Sequence, residues 1–288
     1  MTDLTELASR FRTKRKCLDF LEKLRFGESI ECPRCQSKSI SRIKTVNKLQ
    51  CNKCRYMFSV TAGTIFHRSH IPLQKWILAI FMMCNAKKGI SAKQIQRDLR
   101  VTYKTSWYLM HRIRRAMRDK TFFPKFTGVV ETDDTYIGGI HKGKRGRGAS
   151  GKTAVVGVLE RNGSVKAQPV EDMSSKTISR IVKKYVDPKA IMVCADEFLS
   201  YNQLALEYNL KRINHQIEYV NGQIHTQGIE NFWSILKRGI VGVYHKVSTQ
   251  YLPLYLNEFT FRYSHNGTPD LFLQVLKNGL IYDSSLTN

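Results

Sequence analysis

Four cysteines constrain this chain more than any other feature. Cys32-Pro33-Arg34-Cys35 is followed, fifteen residues later, by Cys51-Asn52-Lys53-Cys54, the paired C-x2-C spacing of a structural zinc site. Each pair sets two thiolates on one tight turn, and two such turns close a tetrahedral shell with no position left for a substrate. Zn2+ is therefore expected as a folding element. Between the pairs, Ile40-Ser41-Arg42-Ile43-Lys44 and Lys48-Leu49-Gln50 alternate as short strands, which makes the unit a zinc ribbon. Cys17, Cys84 and Cys194 lie in apolar stretches and are expected as packing residues. His67 and His70 are left as ordinary polar residues, because four thiolates already complete the shell.

The charge is as uneven as the cysteines. Residues 1–126 hold 28 Lys+Arg against 8 Asp+Glu, a net of +20, whereas residues 127–288 hold 19 against 15, a net of +4. That asymmetry marks the N-terminal part as a binding surface for a polyanion, nucleic acid first. With 42% hydrophobic and 10% aromatic residues the chain is expected to fold, and 288 residues suffice for about two domains. The longest apolar run, Trp76 to Cys84, is far shorter than the roughly 20 residues that span a bilayer. No apolar segment follows a basic start, and the cysteines suit a reducing compartment, so a cytoplasmic, nucleoid-associated location without a membrane partner is expected.

After the ribbon, Pro72 opens a helix over Leu73 to Ala86, and Gly89 marks its stop. Ser91 caps a helix from Ala92 to Leu99, Arg100-Val101-Thr102 turns the chain, and a third helix runs from Tyr103 to Met117. Trp107, Met110, Ile113 and Met117 recur at helical spacing, with Lys104, His111, Arg112, Arg114, Arg115 and Arg118 expected on the exposed side. Helix, short turn and basic amphipathic helix form a helix-turn-helix. Thr102, Lys104 and Thr105 would face base edges or phosphates, with His111, Arg112 and Arg115 along the DNA.

The second half changes character. Gly128 to Ile137 is a β-branched run with acids in its middle, and acids inside a strand are costly without a function. The Gly-rich basic segment His141 to Lys152 suits either a phosphate-following loop or a solvated hairpin tip. Thr153 to Leu159 and Val165 to Val170 are strands joined by the turn Arg161-Asn162-Gly163-Ser164, and Ser174 to Val186 is a helix. Ala190 to Ala195 is an apolar run that ends at Asp196, as a strand buried on both faces would. Three antiparallel strands followed by helix and parallel strand are the order of an RNase H-like fold. A last helix, about Thr226 to Arg238, has the apolar stripe Ile229, Trp233, Leu236 and Ile240, with Glu230, Ser234, Lys237 and Arg238 on its polar side.

Asp133, Asp196 and Glu230 thus stand on a central strand, a strand end and a helix, spaced by 62 and 33 residues. Converging carboxylates without His or Cys suit Mg2+ or Mn2+. Two such ions can activate a water or a 3′-hydroxyl and stabilise the leaving oxygen at phosphorus, with Lys237 and Arg238 beside them for the phosphate backbone. Because adjacent strand residues point to opposite faces, Asp134 is expected not to join Asp133. Glu131 shares the face of Asp133 and is the fallback, and Glu258 and Glu218 are weaker substitutes for Glu230.

The sequence resembles the DDE-type bacterial insertion-sequence transposases of the branch with an N-terminal zinc ribbon and helix-turn-helix, related to the Merlin-type DNA transposons. The resemblance rests on Cys17 to Cys35 (CLDFLEKLRFGESIECPRC), Pro72 to Met117, Val130 to Gly139 (VETDDTYIGG), Ala195 to Tyr201 (ADEFLSY), His225 to Gly239 (HTQGIENFWSILKRG) and Tyr251 to Asn266. It implies that Asp133, Asp196 and Glu230 are the DDE acids, binding Mg2+ or Mn2+. The implied reaction cuts and rejoins DNA at terminal inverted repeats and inserts it into target DNA. Synapsis of two ends implies a homodimer or larger. The position after Asp133 is often Glu in this family and is Asp134 here. The third acid varies between Glu and Asn, and Glu230 precedes Asn231; Glu230 is preferred because a charged oxygen binds Mg2+ more strongly than an amide.

The expected architecture is α+β: N-terminal helix and zinc ribbon (1–66), helix-turn-helix (67–126), and an RNase H-like α/β catalytic domain (127–288). The competing readings are an RNase H-like nuclease, which needs no specific ends, and a non-catalytic zinc-ribbon DNA-binding regulator.

Overall fold

In the first helices of the chain the caps come from side chains. Asp3 Oδ1 accepts from the Glu6 N–H at 2.7 Å and starts α1 (Leu4–Arg10), and Thr13 Oγ1 accepts from the Lys16 N–H at 3.3 Å and starts α2 (Lys14–Phe26). The ribbon follows as β1 (Ile40–Ile43), β2 (Lys48–Cys51) and β3 (Met57–Phe58), an antiparallel sheet with β2 in the centre. Then come α3 (Leu73–Asn85), α4 (Ala92–Leu99) and α5 (Tyr103–Ala116). The α4–α5 turn is left-handed at Arg100 (φ 48), and Thr102 Oγ1 caps α5 by accepting from the Thr105 N–H at 3.1 Å. Ser106 Oγ donates to the Ala92 carbonyl at 2.9 Å and ties the two helices at their crossing. This computed structural model describes residues 3–118, 124–138, 151–213, 224–268 and 270–281. The segment 139–150, which holds most of the basic Gly-rich loop, and Glu218 lie outside them.

The second half is built on β4 (Val129–Gly138), β5 (Lys152–Glu160), β6 (Val165–Val170), α6 (Ser175–Tyr185), β7 (Met192–Asp196), β8 (Leu210–Ile213), α7 (Gln227–Gly239) and α8 (Leu252–Ser264). A 3-10 segment, Leu199–Leu206, links β7 to β8, and a π-helical turn, Ile240–Tyr244, follows α7. The sheet order is β6-β5-β4-β7-β8, antiparallel among β4, β5 and β6 and parallel across β4, β7 and β8. This is the RNase H-like order that the strand pattern implied. Val130, Val156, Val158, Val193 and Ala195 pack one face of the sheet with Ile178, Ile181 and Val182 of α6. Ile137, Val155 and Leu159 pack the other with Trp233 and Leu236 of α7 and Leu256 and Phe259 of α8.

The domain limits differ from the sequence reading. Two compact units divide the chain, Met1–Ala86, Ile90–Arg118 and Pro269–Asn288 in one, Lys87–Gly89 and Asp119–Thr268 in the other. Ribbon and helix-turn-helix therefore form one unit rather than two. The helix α9 (Leu271–Leu280), expected in the catalytic domain, packs with the N-terminal helices. The reason lies in Leu7, Phe11, Cys17 and Ile77, a small core from three helices that Phe81 of α3 and Phe272 of α9 help to cover. The Ile65 N–H donates to the Gly279 carbonyl at 3.0 Å. Among the described residues, no helix is long and apolar enough to cross a membrane.

Candidate active site and metal centres

Asp133 and Asp196 reach one place because β4 and β7 are neighbouring parallel strands. Val129 to Glu131 pair with Met192 to Cys194, so Asp133 and Asp196 follow two residues further along each strand, on the face under α7. Oxygens of Asp133, Asp134 and Asp196 lie within 4.8 Å of one another. Asp134 therefore joins the group, against the expectation from strand alternation. Alternation fixes the Cα–Cβ direction, but the β4–β7 pairing stops at Glu131. Beyond it a carboxylate two bonds from its Cα can reach round the strand.

Each acid has an orienting donor or partner. The Trp233 indole N–H donates to Asp133 Oδ2 at 3.1 Å, and the Phe198 N–H donates to Asp196 Oδ1 at 3.0 Å. Glu230, in the first turn of α7, accepts from the Thr226 hydroxyl at 2.7 Å. Glu230 stands outside the 4.8 Å group, yet its charge bears on Asp133. Burial pushes the Asp133 carboxyl up to about 7, and the charges of Asp134, Asp196 and Glu230 act in the same direction against the Asp134 N–H. Asn231, the other candidate for the third position, hydrogen-bonds Tyr263.

The two substitutes that are described are otherwise engaged. Glu131 is fully buried; its Oε1 accepts from Arg161 Nε at 2.7 Å, its Oε2 from the Ile229 N–H at 2.9 Å, and His225 Nδ1 lies 3.3 Å from Oε1. Glu258, on α8, is buried against Arg262 and accepts from the Tyr244 hydroxyl at 2.8 Å.

Gly157, Arg161 and the polar edge of Trp233 carry no functional expectation from the sequence, yet the fold brings all three to this region. Gly157 lies opposite Asp133 on β5, and a Cβ there would stand 2.6 Å from Trp233 Cζ2 and 2.9 Å from Ile229 Cδ1. A glycine inside the run Ala154-Val155-Val156-Gly157-Val158 was the available signal, since strand glycines mark a close approach. Gly157→Ala is expected to lower stability by about 1–3 kcal/mol through overpacking and to displace the indole from Asp133. Denaturant unfolding and the fluorescence of Trp233 would register both, and an unchanged midpoint would contradict this packing.

The expected DNA contacts divide. Thr102 and Lys104 are exposed at the start of α5, Thr105 is half-buried, and Arg115 is exposed. His111 and Arg112 are buried, against the expectation that they lie along the DNA, and Arg114, expected on the exposed side, is buried as well. Arg112 donates to the His67 carbonyl at 2.9 Å and to the Thr64 carbonyl at 3.2 Å, and also bonds the Tyr108 hydroxyl. Burial, then the nearby Arg114, pushes His111 down to about 4, so it is neutral at pH 7. One apolar stripe does not describe α5, because α3, α4 and α9 cover it on several sides. Lys237 and Arg238 are exposed on α7.

In the ribbon, Cys32 Sγ lies 3.6 Å from Cys54 Sγ, and Cys35 Sγ 3.5 Å from Cys51 Sγ, with all four within 4.8 Å. Zinc–sulfur bonds of about 2.3 Å give tetrahedral sulfur–sulfur edges of about 3.8 Å, so the four thiols fit structural Zn2+. The Cys54 N–H, donated to Cys51 Sγ at 3.5 Å, leads the effects that draw the Cys51 thiol down to about 6.

A family model described as an ISXO2-like transposase domain matches residues 125–264, and one described as a transposase zinc-ribbon domain matches residues 12–57. A curated relative from Halobacterium salinarum, "Uncharacterized protein in transposable element ISH50", is 26% identical over 273 residues, 88% of this chain and 91% of that protein. Among solved structures, a chain of the simian T-cell lymphotropic virus intasome in complex with PP2A regulatory subunit B56 gamma aligns at 12% identity and a TM-score of 0.30. It covers 63% of this chain and 66% of that chain.

Proposed function

We propose, from the premise that this chain belongs to the insertion-sequence transposases with an N-terminal zinc ribbon and an ISXO2-like transposase domain, that Asp133, Asp196 and Glu230 are its DDE acids. The protein is a DNA-binding, DNA-cutting enzyme; the finer reading is that it cuts and rejoins the inverted-repeat ends of its own element and joins them to target DNA. The observation that carries this is the meeting of Asp133 and Asp196 on adjacent strands under the helix that bears Glu230.

Carboxylates alone suit Mg2+ or Mn2+, and oxygens within 4.8 Å fit an octahedral shell, whose edges at bonds of about 2.1 Å are about 3 Å. Bound there, such ions would activate a water or a 3′-hydroxyl and stabilise the leaving oxygen. The chain's own residues do the positioning. The Trp233 N–H aims Asp133, the Phe198 N–H aims Asp196, and Thr226 restrains Glu230. Lys237 and Arg238, about two turns past Glu230 on α7, hold the phosphate backbone. Thr102, Lys104, Thr105 and Arg115 serve the helix-turn-helix, while Zn2+ on Cys32, Cys35, Cys51 and Cys54 keeps the ribbon folded. Synapsis of two ends calls for at least two copies of the chain, acting at the nucleoid.

The test is incubation of the purified protein, with and without Mg2+, with labelled DNA carrying the gene's own flanks. One discrete metal-dependent cut is expected. Cutting spread over any DNA, or retarded but intact DNA, would overturn the reading.

Asp133 also sets a pH dependence. Its carboxyl titrates near 7 in the folded chain against about 3.9 when unfolded, so the folded state holds the extra proton between these values. Its stability contribution is present below about pH 4 and lost as pH rises through 7. Without added divalent ion, the wild type is expected to lose thermal stability relative to Asp133→Asn between pH 5 and 8. Parallel curves for the two proteins would contradict this.

A further inference from the structure

We propose that Glu131 and Arg161 form a buried latch that positions Glu230, a role that rests on the reading of Glu230 as the third acid. The helix α7 opens without a side-chain cap, because Thr226 has φ −119 and ψ 19 and turns its hydroxyl to Glu230 instead. A helix start leaves backbone N–H groups in need of acceptors and favours a nearby negative charge. Glu131, 98 residues earlier on β4, supplies both: its Oε2 accepts from the Ile229 N–H at 2.9 Å. The carboxylate is fully buried, and a buried charge needs a partner. Arg161 provides it, with Nε on Glu131 Oε1 at 2.7 Å and an Nη2–H donated to the His225 carbonyl at 2.9 Å, just before α7. One guanidinium therefore grips the strand acid and the segment leading into the helix.

Gly228 explains how the helix comes so close. A Cβ at that position would stand 2.9 Å from Glu131 Oε2, so any larger residue pushes the first turn off the carboxylate. One turn later, the bond from Trp233 to Asp133 makes a second attachment to the same strand. Glu230 lies between the two attachments, on the stretch of helix whose distance from Asp133 they set. Glu131 and Arg161 touch neither DNA nor metal in this reading; they are positioning residues for Glu230.

The test compares full-length wild type, Glu131→Gln, Arg161→Lys and Gly228→Ala in cleavage of the element's ends, Mn2+ affinity by paramagnetic resonance, binding of the ends, and thermal unfolding. Supporting groups behind metal ligands are worth about 10–100-fold in metal affinity or activity. We expect each variant to lose at least about tenfold in cleavage and to bind Mn2+ more weakly, with end binding within about twofold. Gly228→Ala leaves both charges in place, so it keeps the test decisive if the charge variants fold poorly. Wild-type cleavage and Mn2+ affinity in Gly228→Ala and Glu131→Gln would overturn the latch. So would a lowered melting temperature with unchanged Mn2+ affinity. Failure of the underlying reading is separately visible, as a wild type that cuts no end in Mg2+.

Discussion

Asp196→Asn is expected to lower strand cleavage at the element's ends by about 10³-fold or more, with binding of the same ends within about twofold of wild type. A loss of 10³ is about 4 kcal/mol of transition-state stabilisation, a reasonable share for one of the three acids proposed to hold metal ions. The substitution keeps the shape of the side chain, and its amide oxygen can still accept from the Phe198 N–H that now holds Asp196 Oδ1 at 3.0 Å. What disappears is the anionic oxygen that shares a group with Asp133 and Asp134. The proposed end-reading residues are on other elements, so end binding is not expected to follow. A binding loss as large as the cleavage loss would count against the assignment. The parallel variant Asp134→Asn gauges the member that strand alternation did not anticipate. A cleavage loss of about tenfold is expected from its place in the group.

The second large effect is expected from Cys32→Ser. Cys32 is 1% exposed and stands with Leu49, Cys51 and Phe58 at the centre of the ribbon's small apolar cluster, against which Phe26 and Ile30 pack only partly buried, a core of the size that needs a cross-link. In small zinc-built folds the free energy of zinc binding, about 10–16 kcal/mol at neutral pH, is also folding free energy, and here it is expected to hold the ribbon portion of the N-terminal unit. Removing one thiolate is therefore expected to abolish bound zinc, unfold the ribbon and weaken sequence-specific DNA binding by about 100-fold. Metal analysis and gel retardation would measure both. Mn2+ binding at the proposed acids should persist, because Asp133, Asp196 and Glu230 stand on β4, β7 and α7, none of which belongs to the ribbon. Unchanged zinc content and binding in the variant would refute the structural role of the site.

The elements that could be read in advance were those with strong local periodicity. The acid-bearing strand, the two strands after it, the apolar run into Asp196 and the helix of Glu230 were each placed to within a few residues. The four thiols followed from their spacing alone. Other features left no local mark. Arg161 reads as part of a hairpin turn, yet its guanidinium is committed to Glu131 on another strand. Glu131 reads as a spare ligand and is instead held by the Ile229 N–H, far along the chain. His111 and Arg112 read as one exposed basic face because a helical wheel assumes a single buried side. Other elements close over α5, and Arg112 spends its donors on the carbonyls of Thr64 and His67.

By itself, then, the sequence determined the class of each half: a thiolate-built ribbon beside a basic helical pair, and a sheet with acids on its central strands. Spacing and periodicity act over a few residues, and they suffice to choose turns, strands and helix faces. Only the tertiary structure decided which carboxylates meet, that Asp134 reaches the group, that Glu131 anchors α7, and that the helix α9 joins the N-terminal unit. Each of those depends on where a strand pairing stops, or on what covers a buried face. Such facts arise between residues tens to hundreds of positions apart, where no local pattern carries them.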